Sequence, residues 1–139
     1  MTGRVEYRSD VRPTAAQYID AARRSTLGER LPVDEPELIQ EALDRSDIVV
    51  TAWDGERLVG FLRAITDFRL ICYLQELGVD ADRQREGIGL ALQVEMRALL
   101  GPRCKIRVSE APGAAGYYAR HGYARHDRSW ELLPGDPLV

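Results

Sequence analysis

The run Gln84-Arg85-Glu86-Gly87-Ile88-Gly89 carries two glycines one residue apart. It lies between an apolar stretch ending at Val79 and an amphipathic pattern that continues from Ile88. A helix starting directly after a strand presents backbone N–H groups that have no partner inside the helix, and its aligned peptide dipoles concentrate positive potential there. Such an end binds anions, phosphates among them. Gly87 and Gly89 lack Cβ atoms, so a phosphate oxygen can approach the main chain closely. Gln84 and Arg85 add side-chain donors. The segment therefore predicts a phosphate-bearing ligand. It does not fit the dinucleotide fingerprint, whose third glycine position is Leu92 here, nor a P-loop, which ends in Gly-Lys-Ser/Thr.

Other residues could move protons. Tyr118 offers a phenol that can donate a proton, or it packs one face of a short amphipathic helix. Glu76 interrupts an apolar strand three residues before Val79. A partly buried carboxylate there could accept a proton directly or through water, or it could be paired with a basic neighbour; both readings stay open. Gln75 shares the location but cannot act as a base. His121, beside Gly122, suits a helix end, and His126 sits among charges on a turn. Ser109 has no His/Asp companions that would make it a nucleophile. Cys72 and Cys104 stand far apart, outside any CxxC pair, so they read as reduced thiols and no metal site is expected.

These groups need a scaffold, and the periodicity supplies one. Val5 to Tyr7 could open a sheet. Pro13-Thr14 starts a helical stretch through about Arg24, with Ala15, Ile19 and Ala22 on one face, and Gly28 breaks it. A second helix is expected with Asp34 as N-cap and Glu37 at the capping-box position. Ile48 to Trp53, the turn Asp54-Gly55 and Leu58 to Leu62 read as a hairpin. Leu70 to Val79 reads as a central strand, and Ile88 to Leu99 as a helix ended by Gly101-Pro102. Lys105 to Val108 alternates as a strand should. Ala114 to His121 suits a short helix stopped at Gly122, and Ser129 to Leu133 is expected to form a last strand. The order is that of a mixed α/β domain.

At 139 residues the chain suits a single domain, 1–139. Charged residues make up 29% and hydrophobic residues 45%, the balance of a globular protein. The formal charge is −3 with both signs dispersed, so no nucleic-acid partner is expected. The N-terminus lacks an apolar signal core and no stretch is long enough to span a bilayer, so no membrane partner is expected and the chain reads as cytoplasmic.

Two spaced motifs then narrow the class. Gln84-x-x-Gly87-x-Gly89 resembles the Q/R-x-x-G-x-G/A signature of the GCN5-related N-acetyltransferases (GNAT family). Ala114 to Tyr123 is similar to that family's A-x-x-x-Y-x-x-x-G-[FY]. Two departures stand out: Ala111 where the family often has Asn, and Arg83 where an aromatic residue is common. The resemblance implies a bent, mostly antiparallel sheet splayed between its fourth and fifth strands and flanked by about four helices. It implies acetyl-CoA as cosubstrate, with Leu77, Val79, Gln84, Arg85, Glu86, Gly87, Ile88, Gly89, Leu90, Ala114 and Tyr118 around it. Amides from about Arg85 to Leu90 would grip the pyrophosphate, and Val79 would bond the pantetheine arm. Tyr118 takes the family's acid role and Glu76 is the candidate base. The implied acceptor is a primary amine, of a small molecule first and of a protein or peptide second. A non-catalytic acyl-CoA-binding module is the reading from another class, and the resemblance leaves a homodimer open. Glu29, Arg30, Asp34 and Glu35 fall where the family often builds its acceptor lid, although an ordinary solvated loop accounts for them better.

Overall fold

Thr14 opens the first helix through a reciprocal cap. Its hydroxyl accepts the Gln17 amide at 3.1 Å, while Gln17 Oε1 accepts the Thr14 amide at 2.9 Å. In the computed structural model, which describes residues 4–25, 27–112 and 116–139, this helix is α1, Ala15–Arg24. The second helix, α2, spans Pro36–Arg45 and departs from expectation at its start. Glu35 holds the N-cap position without a side-chain bond, so Asp34 and Glu37 form no capping box. Pro36 explains the shift: its ring presets helical φ and it has no N–H to satisfy, so it fixes the first turn by itself. At the other end, the Arg12 guanidinium donates to the carbonyls of Leu43 and Ser46.

The strands are β1 (Val5–Arg8), β2 (Ile48–Asp54), β3 (Arg57–Thr66), β4 (Ile71–Val79) and β5 (Lys105–Val108). They form one sheet in sequence order, antiparallel from β1 to β4 and parallel between β4 and β5. The β2–β3 turn uses Gly55 at φ +60°, a conformation that strains other residues. At the β3–β4 turn the Asp67 carboxylate accepts the amides of Arg69, Leu70 and Ile71 at 2.8–3.1 Å. Those bonds hold its pKa below the usual carboxylate value.

Helices cover both faces of the sheet. Tyr18, Ile19 and Ala22 of α1, with Ile39 and Leu43 of α2, pack on Val49, Leu58 and Phe61. The helix that follows β4, α3 (Ile88–Ala98), lies on the opposite face, where Gly60 admits it. A Cβ at Gly60 would stand 2.9 Å from Ile88 Cγ2 and 3.2 Å from Leu92 Cδ1. Phe61 and Gly60 are consecutive, so they serve opposite faces by the strand's period of two.

Two irregularities shape β4. Its pairing with β5 runs from Ile71 opposite Lys105 to Leu74 opposite Val108. Beyond that point Glu76 to Val79 keep β3 on one side and have no described strand on the other, so the sheet opens into a notch. At the same place the β3 register jumps, with Arg63 opposite Glu76 and Ala64 opposite Leu74. Gln75 is the extra residue of a β-bulge, a feature that re-aims neighbouring side chains.

The chain divides into two compact units, Met1–Ser109 and Glu110–Val139. The second holds the four-residue helix α4, Tyr117–Arg120, begun at Gly116 with φ +86°. The strand expected at Ser129 to Leu133 is not formed. Leu133 and Asp136 instead close a turn, Asp136 N–H to Leu133 O at 3.0 Å and Leu133 N–H to Asp136 Oδ2 at 3.1 Å. Alternation over these residues is short, Leu132 and Leu133 break it, and Pro134 supplies no N–H to a ladder.

Candidate active site

Residues 80–87, with a 3-10 turn at Ala81–Arg83, separate β4 from α3, so the helix does not start directly after the strand as expected, and one loop residue adopts a backbone that the sequence does not signal. Arg85 has φ +69° and Gly87 φ +83°, both left-handed. Left-handed residues interspersed in a turn swing main-chain N–H groups toward one concave side, an arrangement that suits an anion. Gly87 is the N-cap of α3, no acidic residue occupies that helix's first turn, and the space beside its Cα is open. The residues present therefore fit a pyrophosphate.

Ion pairs hold the loop in place. Arg83, expected as a departure from the family pattern, is nearly buried and donates to Asp54 at 2.8 Å and to both Glu86 oxygens at 3.0 and 3.1 Å. Glu86 is the one acidic side chain in the loop, and this pairing offsets its charge beside the anion site. Just upstream, the Asp80 carboxylate is 2% exposed and accepts from Arg24 and Arg57. The Asp80 amide donates to Val59 O at 2.9 Å. Together these bonds fix the end of β4 against β3 and α1.

Of the other expected cofactor contacts, Leu77 and Val79 lie half-buried along the open edge of β4. Gln84, Arg85 and Glu86 are exposed, Ile88 is buried at the start of α3, and Leu90 is largely exposed. Gln84 Nε2 reaches Val79 O only at 3.5 Å, too long to commit it. Ala114 lies outside the described residues. In the second unit Tyr118 is half-buried, edge-on to Tyr117 at 5.0 Å and to Tyr123 at 5.2 Å between ring centroids. Burial first, then Tyr117, Tyr123 and Glu110, pushes its phenol well above the ordinary value. His121 caps α4 and stacks edge-on with Tyr117 at 4.7 Å.

Glu76 is buried within a network that sequence reasoning did not assemble. Tyr18 Oη donates to Glu76 Oε1 at 2.5 Å, while Arg63 donates Nε to Oε1 at 2.8 Å and Nη2 to Oε2 at 2.6 Å. Arg63 Nη1 also donates to Ser46 Oγ at 3.2 Å. Burial and the adjacent carboxylate hold the Tyr18 phenol far above its usual pKa. The signal that could have revealed this was Arg63, a lone cation within the apolar run Leu58 to Ala64. The network lies in the wall of a cavity of ≈ 320 Å³ lined also by Arg30, Leu31, Leu38, Ile39, Leu43 and Gln75.

A notched sheet whose fourth strand leads through a glycine loop into a helix is the arrangement of the acetyltransferase class of α/β fold. The sequence profile of the acetyltransferase (GNAT) domain matches residues 20–131. The chain belongs to the GNAT family. No curated protein sequence matches it. Among solved structures it is similar to SA2161 of Staphylococcus aureus, with TM-score 0.76, 17% identity, and 94% of this chain and 98% of that chain covered. A GNAT-family structure from Xanthomonas campestris gives TM-score 0.72 at 22% identity, covering 97% of each chain. An aminoglycoside acetyltransferase from an uncultured soil sample gives 0.65 at 17%, covering 94% of this chain and 93% of that chain. At these identities the likeness is one of fold. No described helix is long and apolar enough to cross a membrane.

Proposed function

We propose that this chain is an acetyl-CoA-dependent N-acetyltransferase whose acceptor is a small primary amine. The observation that carries the cofactor half is the loop at Arg85 to Gly89, with two left-handed residues, an uncapped helix start and its own carboxylate tied off by Arg83. Amides from about Arg85 to Leu90 hold the pyrophosphate. The edge of β4 from Gln75 to Val79, which no described strand pairs with beyond Leu74, receives the pantetheine arm as an added strand receives a partner, with Val79 bonding it nearest the loop.

Bound acetyl-CoA supplies an activated thioester, whose C–S bond breaks as the amine nitrogen forms its C–N bond, the thiolate gaining a proton and the nitrogen losing one. Tyr118 gives the thiolate its proton, as the family motif assigns. Glu76 takes the amine's proton directly or through a water. Three of its four lone-pair sites are occupied by Tyr18 and Arg63, which leaves one on Oε2 for that purpose. Ala114 completes the cofactor contacts in this reading.

Direct titration with CoA tests the cofactor half. The wild-type chain binds, and Gly89→Val, which puts a branched side chain where the phosphate must approach, reduces affinity by about a hundredfold or more, the loss of several charge-assisted hydrogen bonds. Unchanged affinity in Gly89→Val would remove the loop from the site.

A further inference from the structure

The cavity over Glu76 has a charge balance opposite to that of a site for cationic substrates. Of the described residues that line it, Glu76 is the only acid, and Arg63 engages both of its oxygens. Arg30 also lines it and has no ion-pair partner among the described residues. Two arginines against one carboxylate leave one positive charge in excess. Much of the remaining wall is aliphatic, built by Leu31, Leu38, Ile39 and Leu43, and Leu38 is 48% exposed, so it is accessible to a ligand. The volume, ≈ 320 Å³, is at the small end of the roughly 300–1,000 Å³ of small-molecule sites. Gln75 and Glu76 belong to β4, so the cavity lies beside the strand whose Val79 sits three residues on, roughly 10 Å at strand rise.

We propose that this cavity takes an amphipathic acceptor, a primary amine with a compact apolar body and one carboxylate, in the manner of an apolar amino acid. The aliphatic wall covers the body, Arg30 pairs with the carboxylate, and the amine faces the Glu76 end. A polyamine is disfavoured because its second ammonium would meet the excess positive charge. This proposal rests on the acetyl-transfer reading for the fate of the amine, but the binding preference stands on the cavity alone.

Thiol release from acetyl-CoA is followed with L-leucine, L-phenylalanine, L-leucinamide and spermidine, and calorimetry measures binding of the same four probes with CoA present. The expected result is a kcat/KM for leucine about ten-fold above leucinamide or spermidine, as one charge-assisted pair provides. In Arg30→Glu the leucine-to-leucinamide ratio falls to one or below, mainly through KM, and Arg30→Lys restores most of it. Equal use of leucinamide or spermidine, or a ratio unmoved in Arg30→Glu, overturns the proposal while leaving acetyl transfer intact. Arg30-dependent leucine binding without thiol release has the reverse meaning: the pocket assignment holds and the transfer reading fails. If leucine and phenylalanine neither bind nor react, the proposal is wrong.

Discussion

A group that hands a proton to a thiolate has to keep that proton until the C–S bond breaks. Burial of Tyr118 penalises its phenolate, and nearby Tyr117, Tyr123 and Glu110 add to that, so its pKa lies above the ordinary phenol value of about 10. The donor form is then fully present across the neutral range. Tyr118→Phe is expected to lower kcat by about a hundredfold with CoA affinity nearly intact. The wild-type kcat should show no basic limb from this phenol below about pH 10, whereas equal activity of the two proteins at every pH would take Tyr118 out of the acid role. Tyr18 makes a different prediction, about stability. Its folded-state pKa is raised by burial and by Glu76, so the folded state holds a proton that the unfolded chain releases near pH 10. The contribution is complete below that pH and is lost as pH rises above it. Denaturant midpoints should therefore fall above about pH 10, and Tyr18→Phe should flatten that fall. The glycine loop before α3 and the short helix that carries Tyr118 were legible in sequence because each belongs to a local motif. The Tyr18–Glu76–Arg63 network was not, because Tyr18 lies 58 residues and Arg63 13 residues from Glu76, and it takes the β3–β4 register to bring in Arg63 and the packing of α1 on the sheet to bring in Tyr18.

At the scale of elements, close approach rather than propensity fixes the site. Gly78 on β4 lies against Phe61, and an added Cβ would come within 2.4 Å of Phe61 Cζ and 2.9 Å of Ser25 Oγ. Phe61 is itself fully buried and edge-on to Tyr18 at 4.6 Å, so the ring has little freedom to withdraw. Gly78→Ala is expected to cost about 1–3 kcal/mol by overpacking, read as a lower thermal midpoint. A midpoint at or above wild type would show that α1 and β4 can part without penalty. Periodicity gave the helices and the hairpin their places because each has a buried face with its own period, as in α1 with Ala15, Ile19 and Ala22. It could not give the bulge at Gln75 or the early end of the β4–β5 pairing, because both depend on which residues stand opposite one another. The start of α2 was misplaced because Asp34 and Glu37 carry the local capping signal, while Pro36 sets the actual first turn. Ser129 to Leu133 shows the same limit from the other side: strand-like residues do not make a strand without a neighbour to pair with.

Taken whole, the molecule divides its candidate chemistry between two compact units, with the anion loop, the notch and the cavity in Met1–Ser109 and Tyr118 in Glu110–Val139. The GNAT profile runs across both, over residues 20–131. Family membership accounts for the notched sheet and the loop, and the departure at Arg83 belongs to this chain. Arg83 replaces an aromatic contact with ion pairs to Asp54 and Glu86, which changes how the loop is anchored without removing it. The central claim is that these parts transfer an acetyl group to an amine. The direct measurement is thiol release from acetyl-CoA with and without an amine panel, with mass analysis of the products. Release that depends on the amine, with one N-acetylated product formed per thiol, is the predicted result. Tight CoA binding with no amine-dependent release and no acetylated product would contradict it and leave an acyl-CoA-binding module in its place.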